Sequence, residues 1–416
     1  MTLANPFVSD YHSISEAFLA LHERDGFSRL PPSPLLHPSV PMSFVMSAGL
    51  IQVENDLDRI VSETGGKFTF TQPCFRHFDL EQVGSDPTRL SLFHMPAAFY
   101  IGSSQRENIL PRLWFFLTGI LKLSPDNLWI TYLDAPELGR DDATYECWRA
   151  LDIEETHLLG MDQEHCFWRQ RALGKIASDG KKCGPHTEIF YERKEIACPQ
   201  CEAEPIQSAI TCRCGRFVEI SNSLFIENYL DEAGKRIPAD MVFSECVVGL
   251  ERIAMILENA TDVYHISRFQ PWRESLPPSA NVLAHNIMVE HLSAFSKLVE
   301  DGAPAPGHGG RARIIRVLAR RIMTQALLID LDILTVIAKM EQGSAQSYFQ
   351  AEHCKFLVTL RKAKNAMRSW LKQGNGSLAA NGKEQLQSEY GLPFVLIEKY
   401  ENQFVVELDQ ATNCAC

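Results

Sequence analysis

Residues 248–254 read VGLERIA, and this stretch decides how the chain is interpreted. It belongs to an apolar run, residues 242–257, that enters a helix. Glu251 and Arg252 therefore lie at a predicted helix start. By itself such a pair is typical of an ordinary surface ion pair on a helix, so its meaning depends on the sequence around it.

The sequence before this stretch carries both helical and strand patterns. Apolar residues recur at helical spacing in residues 11–24 and 109–123. Short β-prone runs predict strands, and these runs are 68–72, 92–101, 128–133, 183–192 (after an initial Gly-Pro turn) and 217–229. Prolines interrupt the pattern near 270–280, and helical patterns follow. We therefore predict two domains, residues 1–270 and residues 271–416.

Composition narrows the class of protein. The 416 residues carry a formal net charge of −12, which argues against non-specific coating of nucleic acid, because phosphate binding depends on Lys and Arg. Five arginines in residues 311–321 predict either a local basic surface or a solvated helix face. The N-terminus lacks a signal-peptide pattern, and no 18-residue apolar run predicts a membrane span. Because the twelve cysteines show no disulfide framework, we expect a cytoplasmic protein without membrane contact.

Four of the cysteines are grouped closely enough to suggest a metal site. Cys198 and Cys201 are followed, after ten residues, by Cys212 and Cys214. Two close pairs of thiolates suit the tetrahedral coordination of a closed, structural zinc ion. We predict that residues 194–216 form a zinc-ribbon-like insert; four free cysteines in a loop are the alternative.

The stretch at 248–254 resembles motif 3 of class II aminoacyl-tRNA synthetases, in the GLERI form typical of alanyl-tRNA synthetase. Other stretches resemble the catalytic region of that family in the same order. They are AGL at 48–50, QPCFR at 72–76, DLEQVG at 79–84, FHM at 93–95, FW at 167–168, CGPHTEIFY at 183–191 and FVEISN at 217–222. The resemblance spans roughly residues 15–325. It implies an α+β fold, with an antiparallel sheet flanked by helices and a C-terminal helical domain similar to the family's tRNA-recognition domain.

The resemblance also implies which residues contact ATP. In amino-acid activation a carboxylate attacks the α-phosphorus of ATP and pyrophosphate leaves, so the protein must position two anions and stabilise negative charge. The matching arginines are Arg76 for the α-phosphate and Arg252 for the γ-phosphate. A guanidinium suits both positions because it stays protonated and binds phosphate oxygens bidentately.

Further ATP contacts follow from the same resemblance. Mg²⁺ between phosphate oxygens requires carboxylates; Glu81 is the candidate by the family pattern, with Glu188 and Glu219 less directly indicated. Phe93 is the candidate for stacking on adenine, and a buried strand aromatic is its alternative interpretation. The expected cofactors are thus ATP, Mg²⁺ and structural Zn²⁺.

The sequence departs from the family where the amino acid would bind. The candidate contacts are Ser221, Asn222, Glu245 and Gly249. The family has Trp at the position of Ser221, and at the position of Glu245 it has the Asp that meets the substrate ammonium. Because a smaller side chain and a longer acid alter the pocket, we hypothesise a preference for an amino acid other than alanine.

The loop after Arg76 also differs from the family. It is about four residues shorter and lacks the family's Gly-Gly-Lys. In this class the loop usually approaches the acceptor end of tRNA. Its shortening is therefore expected to affect the charging of tRNA more than the formation of the adenylate.

Three functions are consistent with these features. The first is an aminoacyl-tRNA synthetase, interpreted as a truncated paralogue without the editing domain, with tRNA as acceptor. The second is an adenylate-forming ligase of specialised metabolism that loads a carrier protein or a small amine. The third is a non-catalytic synthetase paralogue, against which both phosphate-binding arginines argue. We expect a monomer or a weak dimer.

Overall fold

A computed structural model describes residues 10–170, 181–231, 234–338, 343–373, 378 and 380–413, and does not describe the side chains of residues 50–56, 380 and 406–413. The chain divides into two compact units, Met1–Gln270 and Pro271–Cys416. In the described residues the first unit combines a sheet with helices, and the second is helical.

The first unit is built on one sheet, which has ten strands in the described residues. They are β1 (Ser28–Arg29), β2 (Lys67–Phe75), β3 (Leu92–Ile101), β4 (Leu128–Ala135), β5 (Gly139–Arg140), β6 (Leu158–Met161), β7 (Phe167–Arg169), β8 (Lys181–Glu192), β9 (Phe217–Leu230) and β10 (Arg236–Val248). Their order is β1-β2-β3-β10-β9-β8-β4-β5, with β6 beside β4 and β7 beside β8. Strand β1 is parallel to β2 and β6 to β4, and the other pairs are antiparallel. The predicted α+β class with an antiparallel sheet is confirmed.

Helices accompany this sheet. They are α1 (Tyr11–Arg24), α2 (Leu50–Thr64), α3 (Arg106–Trp114), α4 (Asp142–Arg149), α5 (Gln163–Cys166), α6 (Pro199–Ala203), α7 (Ile206–Ala209) and α8 (Leu250–Leu257). Helix α1 has the predicted bounds, because Asp10 accepts hydrogen bonds from the His12 and Ser13 backbone N–H groups and fixes the helix start. Its apolar positions, which include Ile14 and Phe18, are buried.

The deciding stretch takes the form that its pattern predicts. The second half of β10, residues 243–248, is buried throughout, which means that both faces of this strand are covered. The chain then passes through Gly249 directly into α8, whose first turn carries Glu251 and Arg252.

Two local predictions need correction. The helix predicted for residues 109–123 is shorter: α3 ends at Trp114, and a π-helical turn, Phe115–Ile120, follows. The predicted Gly-Pro turn at residues 184–185 lies instead inside β8, as an irregularity in its pairing with β9. Glycine is required at 184, since a Cβ there would lie 1.8 Å from the Phe225 carbonyl oxygen.

A stack of aromatic rings forms part of the core on one face of the sheet. The rings of Phe68 and Phe70 are nearly parallel to that of Phe99, with centroids 5.0 and 5.7 Å from it. Gly49 immediately precedes α2 and passes over this stack, where a Cβ would lie 1.7 Å from the Phe99 ring. The positive φ of 66° at Gly49 also favours glycine. The AGL stretch therefore has a structural reason for its glycine.

The second unit contains helices in its described residues. They are α10 (Val282–Glu300), α11 (Gly310–Leu328), α12 (Ile333–Ile337), α13 (Ser344–Gln373), α14 (Ala380–Tyr390) and α15 (Phe394–Asn413); the short helix α9 (Gln270–Ser275) begins at the division between the units. Across the described ranges of both units, none of the helices has the length and apolar composition needed to span a bilayer.

The arginine-rich segment lies on α11, and two of its members have partners inside the second unit. Arg320 pairs with the buried Glu352 at 2.7 Å, and Arg321 Nε donates to His291 Nε2 at 2.9 Å. Arg313 is exposed. The segment is therefore partly structural, and its exposed face is smaller than the sequence indicates.

Candidate nucleotide-binding cavity and metal centre

An open cavity of about 140 Å³ lies in the first unit. Strands β3, β9 and β10, helix α8 and the loop between β2 and β3 contribute its walls. The candidate residues that line it are Arg76, Phe93, Glu219, Ser221, Asn222, Gly249 and Arg252. Residues far apart in sequence thus line one cavity.

Arg76 and Phe93 form one wall of the cavity. The Arg76 guanidinium lies over the Phe93 ring, 4.9 Å from its centroid, and its Nε donates to the Met46 carbonyl at 3.0 Å. Phe93 is half-buried, so its ring remains accessible from the cavity. A planar cation stacked on a planar ring leaves guanidinium N–H groups to meet an anion beside an aromatic surface.

Arg252 lines the same cavity and is bound by β9. Its Nη1 donates to the Glu219 carboxylate at 2.9 Å and to the Glu219 backbone carbonyl at 2.8 Å, while its Nε donates to the Thr88 carbonyl at 3.2 Å. These contacts orient the guanidinium at the start of α8. Its side chain remains 24% exposed, so it can still be reached from the cavity.

Two carboxylates lie side by side near Arg252. Glu188 on β8 pairs with Asn222 on β9 and accepts a hydrogen bond from its side-chain amide at 3.1 Å. The β8–β9 register shifts between Ile189 and Phe190, so one β9 residue is extra and Glu219 returns to the face that carries Asn222. This bulge brings both carboxylates to the same face of the sheet.

The two carboxylates differ in their electrostatics. Burial and the neighbouring charge of Glu219 raise the pKa of Glu188. Burial also acts to raise the pKa of Glu219, but the charges of Arg252 and Arg76 outweigh it and hold that pKa below its ordinary value. Oxygen ligands of this kind are what Mg²⁺ takes, usually together with phosphate oxygens and water.

The structure does not bring Glu81 to the cavity. Residues His77–Asp79 form a short 3₁₀ turn, after which Glu81 points outward and is exposed. The residue of this motif that lines the cavity is Asp79, which is buried and pairs with Arg89 at 3.6 Å. Sequence reasoning missed Asp79 because its inward direction depends on the turn.

The loop that follows is fixed by a buried tyrosine. The Tyr264 hydroxyl accepts from the Gly84 N–H at 2.6 Å and lies within hydrogen-bonding distance of the Asp86 and Arg89 carbonyls, at 2.8 and 2.7 Å. In addition, Val263 N–H donates to the Pro87 carbonyl at 2.9 Å. The loop therefore has a defined backbone next to the cavity.

Ser221 and Gly249 occupy the cavity wall in structural roles. Ser221 is next to Asn222 in β9, so the two side chains point to opposite faces of the sheet. The Ser221 hydroxyl donates to the Val247 carbonyl at 2.8 Å, and the Gly249 N–H donates to the Ile220 carbonyl at 2.8 Å. The side chains of Ser221 and Asn222 therefore do not meet on the same face of the sheet.

Glu245 lies deeper along β10 on the cavity face. It is two residues from Val247, which lines the cavity, and it pairs with Phe99 and Leu224. Glu245 as a residue is 7% exposed, and its carboxylate makes no hydrogen bond or ion pair with the residues that the structure describes. Burial raises the pKa of Glu245 to about 8. A buried, unpaired acid is suited to receive a cationic group such as an ammonium.

Glu251 of the deciding stretch has a structural role that its sequence position conceals. It is buried and accepts hydrogen bonds from the backbone N–H of His94 at 3.0 Å and from the Tyr11 hydroxyl at 3.2 Å. It also pairs with the Arg268 guanidinium. The ordinary surface ion pair is therefore excluded as an explanation, since this carboxylate ties α8 to α1 and β3.

The four clustered cysteines form a second candidate site. Their Sγ atoms all lie within 4.8 Å of one another, with Cys198–Cys212 at 4.0 Å and Cys201–Cys214 at 3.5 Å. A tetrahedral zinc site with Zn–S bonds of about 2.3 Å has sulfurs roughly 3.8 Å apart, so the geometry fits. Hydrogen bonding, first from the Cys201 backbone N–H, lowers the pKa of Cys198 to about 7.

The sequence matches a known protein family. A sequence model of the family described as tRNA synthetases class II (A) matches residues 13–415. Alanine–tRNA ligase from Dehalococcoides mccartyi (strain 195) is 27% identical over 93% of this chain and 45% of its own length, and that of Thermotoga maritima is 27% identical over 95% and 47%. This chain therefore spans about half the length of the curated relatives it matches.

Among solved structures, S. aureus histidyl-tRNA synthetase matches 64% of this chain and 71% of that chain, with a TM-score of 0.36 and 10% sequence identity. The match of the family model covers nearly the whole chain. The chain belongs to the class II (A) family of tRNA synthetases.

Proposed function

We propose that this protein activates an amino acid with ATP, releases pyrophosphate to form an aminoacyl-adenylate, and transfers the aminoacyl group to tRNA. The observation that carries the proposal is that Arg76, Arg252 and Glu219 line one cavity, with Glu188 on the adjacent strand β8. Guanidinium groups fixed in advance stabilise the negative charge that grows on the phosphates during attack.

Each residue has a distinct part in this reaction. Arg76 contacts the α-phosphate and Arg252 the γ-phosphate, while the accessible Phe93 ring stacks on adenine. Glu188 and Glu219 would hold Mg²⁺, which neutralises phosphate charge when it is bound. The carboxylate of the amino acid is already ionised, so the attack needs no general base.

The amino acid is placed by the groups along β9 and β10. Its ammonium meets Glu245, which gives up its proton on binding because the ammonium replaces the missing counter-charge. The Phe99 and Leu224 side chains beside Glu245 favour an apolar amino acid. Since the curated relatives are named alanine–tRNA ligases, alanine is the first candidate, and the longer acid at 245 is the reason to test others.

The two units receive separate roles in this proposal. Residues 1–270 form the adenylation domain, in which the insert 194–216 is fastened by Zn²⁺ on its four cysteines. The helical residues 271–416 contribute to tRNA recognition. We further propose a cytoplasmic protein.

One observation favours a second function. Between Arg76 and Asp79 the chain has His77 and Phe78 only, and no lysine to meet an acceptor phosphate. An adenylate-forming ligase that loads a carrier-protein thiol or a small amine would tolerate this loss.

The acceptor can be tested directly. Incubation with ATP, Mg²⁺, total tRNA and labelled amino acids should give acid-precipitable label that ribonuclease removes. Adenylate formation without any label on tRNA would instead support the second function. If neither adenylate nor label formed, both enzymatic readings would fail and the non-catalytic one would remain.

A further inference from the structure

The insert that carries the four cysteines packs against the loop between β2 and β3. Gly215, which directly follows Cys214, has a positive φ of 84°, and a Cβ at this position would lie 2.7 Å from Pro87 Cγ. Glycine is therefore required here both for its backbone conformation and for the close approach of the proline ring. The insert and the loop meet at this contact, which leaves no room for a side chain between them.

The loop carries this contact to the cavity. Thr88 follows Pro87 and lines the cavity, and its carbonyl accepts the hydrogen bond from Arg252 Nε at 3.2 Å. Asp86 holds this segment in place, because its carboxylate accepts from both the backbone N–H and the hydroxyl of Thr88 at 2.9 Å. The Arg252 contact is at the long end of the usual range of about 2.7–3.2 Å, so a small displacement of Thr88 would break it.

A second contact joins the insert to the segment that follows α8. Arg193 is buried just before the insert, and its backbone N–H donates to the Arg216 carbonyl at 2.7 Å, which ties the two ends of the insert together. Its guanidinium donates to the Ala260 and Thr261 carbonyls at 2.9 and 3.0 Å. The segment after α8 also donates a backbone hydrogen bond to the Pro87 carbonyl. The ends of the insert, the loop and α8 are therefore connected at one junction.

A metal bound by the cysteines would fix this junction from the insert side. Cys214 Sγ accepts from the Arg216 backbone N–H at 3.4 Å, so the backbone of Gly215 bends around a candidate zinc ligand. Four thiolates on one zinc ion would hold this bend in place, since a small metal-binding segment gains much of its order from the ion. Loss of zinc is therefore expected to release Gly215, and with it the position of Pro87.

We infer that the insert is a positioning element for Arg252, and that Zn²⁺ on its cysteines and ATP in the cavity favour each other's binding. The coupling runs through the Gly215–Pro87 contact and the Thr88 carbonyl. Since coupling between two sites is reciprocal, zinc tightens ATP binding by the same factor by which ATP tightens zinc binding. This inference rests on the proposed function, because it takes the cavity to be the ATP site.

The coupling can be measured without catalysis. The Kd for ATP is determined by equilibrium dialysis with Mg²⁺ and no amino acid, at zinc saturation and after zinc depletion. The Kd for Zn²⁺ is determined with and without saturating ATP, in a chelator buffer that accounts for Zn²⁺ bound by ATP itself. Both Kd values should change by the same factor, about fivefold or more, as for ordinary coupling between sites. Far-UV circular dichroism checks that the zinc-depleted protein is folded.

Variants of the contact decide the inference even if the zinc-depleted protein unfolds. At zinc saturation, Gly215→Ala drives a Cβ against Pro87 and should raise the Kd for ATP by about fivefold or more. Adding Pro87→Ala removes the ring atom that clashes and keeps the backbone carbonyl, so part of the ATP affinity should return. The matched control is Gly139→Ala, since Gly139 also has a positive φ, 77°, but a Cβ there meets no heavy atom within 4 Å. Its Kd should stay within about twofold of wild type.

A double-mutant cycle tests whether the effect acts through Arg252. In an Arg252→Ala background, Gly215→Ala should change the Kd for ATP by less than about twofold, because the guanidinium that it would displace is already absent. A general loss of stability would instead weaken ATP binding equally in both backgrounds.

Failure of the inference differs from failure of the proposed function. Equal Kd values for ATP in zinc-saturated and in folded, zinc-depleted wild type would overturn the inference alone. The same holds for equal Kd values in Gly215→Ala and Gly139→Ala, for an undiminished effect of Gly215→Ala in the Arg252→Ala background, and for a wild type that binds no zinc. A zinc-saturated wild type that binds no ATP would overturn both the inference and the proposed function.

Discussion

Arg252 and Glu219, both predicted to serve ATP, are bound to each other: Arg252 Nη1 lies 2.9 Å from Glu219 Oε2. The carboxylate thus orients the guanidinium before a nucleotide is present. On the proposed function, phosphate oxygens would bind the guanidinium N–H groups of Arg252 that face the cavity, and the Glu219 carboxylate would help to hold Mg²⁺. The next two predictions follow from this relationship.

Replacing the arginine should remove a charge that the reaction needs. Arg252→Ala is expected to lower kcat for pyrophosphate exchange by about 100-fold or more, as when one preorganised donor to a developing anion is removed. Arg252→Lys should recover little, because an ammonium cannot bind two phosphate oxygens in a plane. As a control, Arg59→Ala removes an exposed arginine that pairs with Glu63 on α2, and its exchange rate should equal that of wild type.

Neutralising either carboxylate should affect the metal requirement. Glu188→Gln and Glu219→Gln are expected to raise the Mg²⁺ concentration that gives half-maximal exchange. The pKa of Glu188 is raised, so its carboxylate becomes protonated at a higher pH than that of an ordinary glutamate. Wild type should therefore need more Mg²⁺ as the pH falls into that range. The Glu188→Gln variant should lack this pH dependence of the Mg²⁺ requirement. Unchanged Mg²⁺ dependence in both variants would rule the pair out as the metal site.

Glu245 predicts a pH dependence of stability that needs no substrate. Its pKa is about 8 in the folded protein and 4.5 in the unfolded chain. Between these values only the unfolded state releases the proton, so folding becomes less favourable as pH rises, by up to about 1.4 kcal/mol per unit. Glu245→Gln should therefore match wild type below pH 4.5 and gain relative stability up to pH 8, measured by denaturant unfolding.

The raised pKa of Glu245 also predicts that protons are released when the amino acid binds. If an ammonium pairs with Glu245, the bound acid ionises and releases a proton. Calorimetry at pH 7 in buffers of different ionisation enthalpy should show release approaching one proton per amino acid bound, and Glu245→Gln should abolish it. Proton release that persists in the variant would assign the ammonium to another group.

The cysteine cluster predicts a zinc ion that holds the insert. Purified protein should contain about one zinc per chain, and Cys201→Ser or Cys212→Ser should lose it together with thermal stability of the first unit. Cys147→Ser is the matched control, because Cys147 is a half-buried cysteine outside the cluster. A full zinc content in Cys201→Ser would contradict the assignment.

The sequence predicts the arginines that line the cavity better than the acidic residues that lie near them. Arg76 and Arg252 each belong to a short motif that can be recognised in the sequence, one directly after a strand and one at the start of a helix. Because the two motifs occur in the order found in the family, the sequence predicts that they form one site. Glu81 could not be separated from Asp79 in this way, because the 3₁₀ turn at His77–Asp79 decides which acid points inward. A pattern of two-residue alternation likewise gives no sign of the bulge that turns Glu219 to the face of Asn222.

Partners in the tertiary structure account for the other differences. The five arginines of α11 look equivalent in sequence, yet Arg320 and Arg321 bind Glu352 and His291 from other helices. Glu251 resembles half of a surface ion pair in the sequence, yet in the fold it is bound by Tyr11 and Arg268, which lie elsewhere in the chain. Such contacts depend on side chains that no local pattern contains.

Pyrophosphate exchange is the measurement that most directly tests the central claim. Label is followed from pyrophosphate into ATP with each of the standard amino acids in turn, for wild type and for Arg252→Ala. The account predicts exchange with one apolar amino acid, alanine being the first to try, and its loss in the variant. Two results would contradict this account. One is an exchange rate in Arg252→Ala equal to that of wild type. The other is a wild-type protein that binds ATP but shows no exchange with any amino acid.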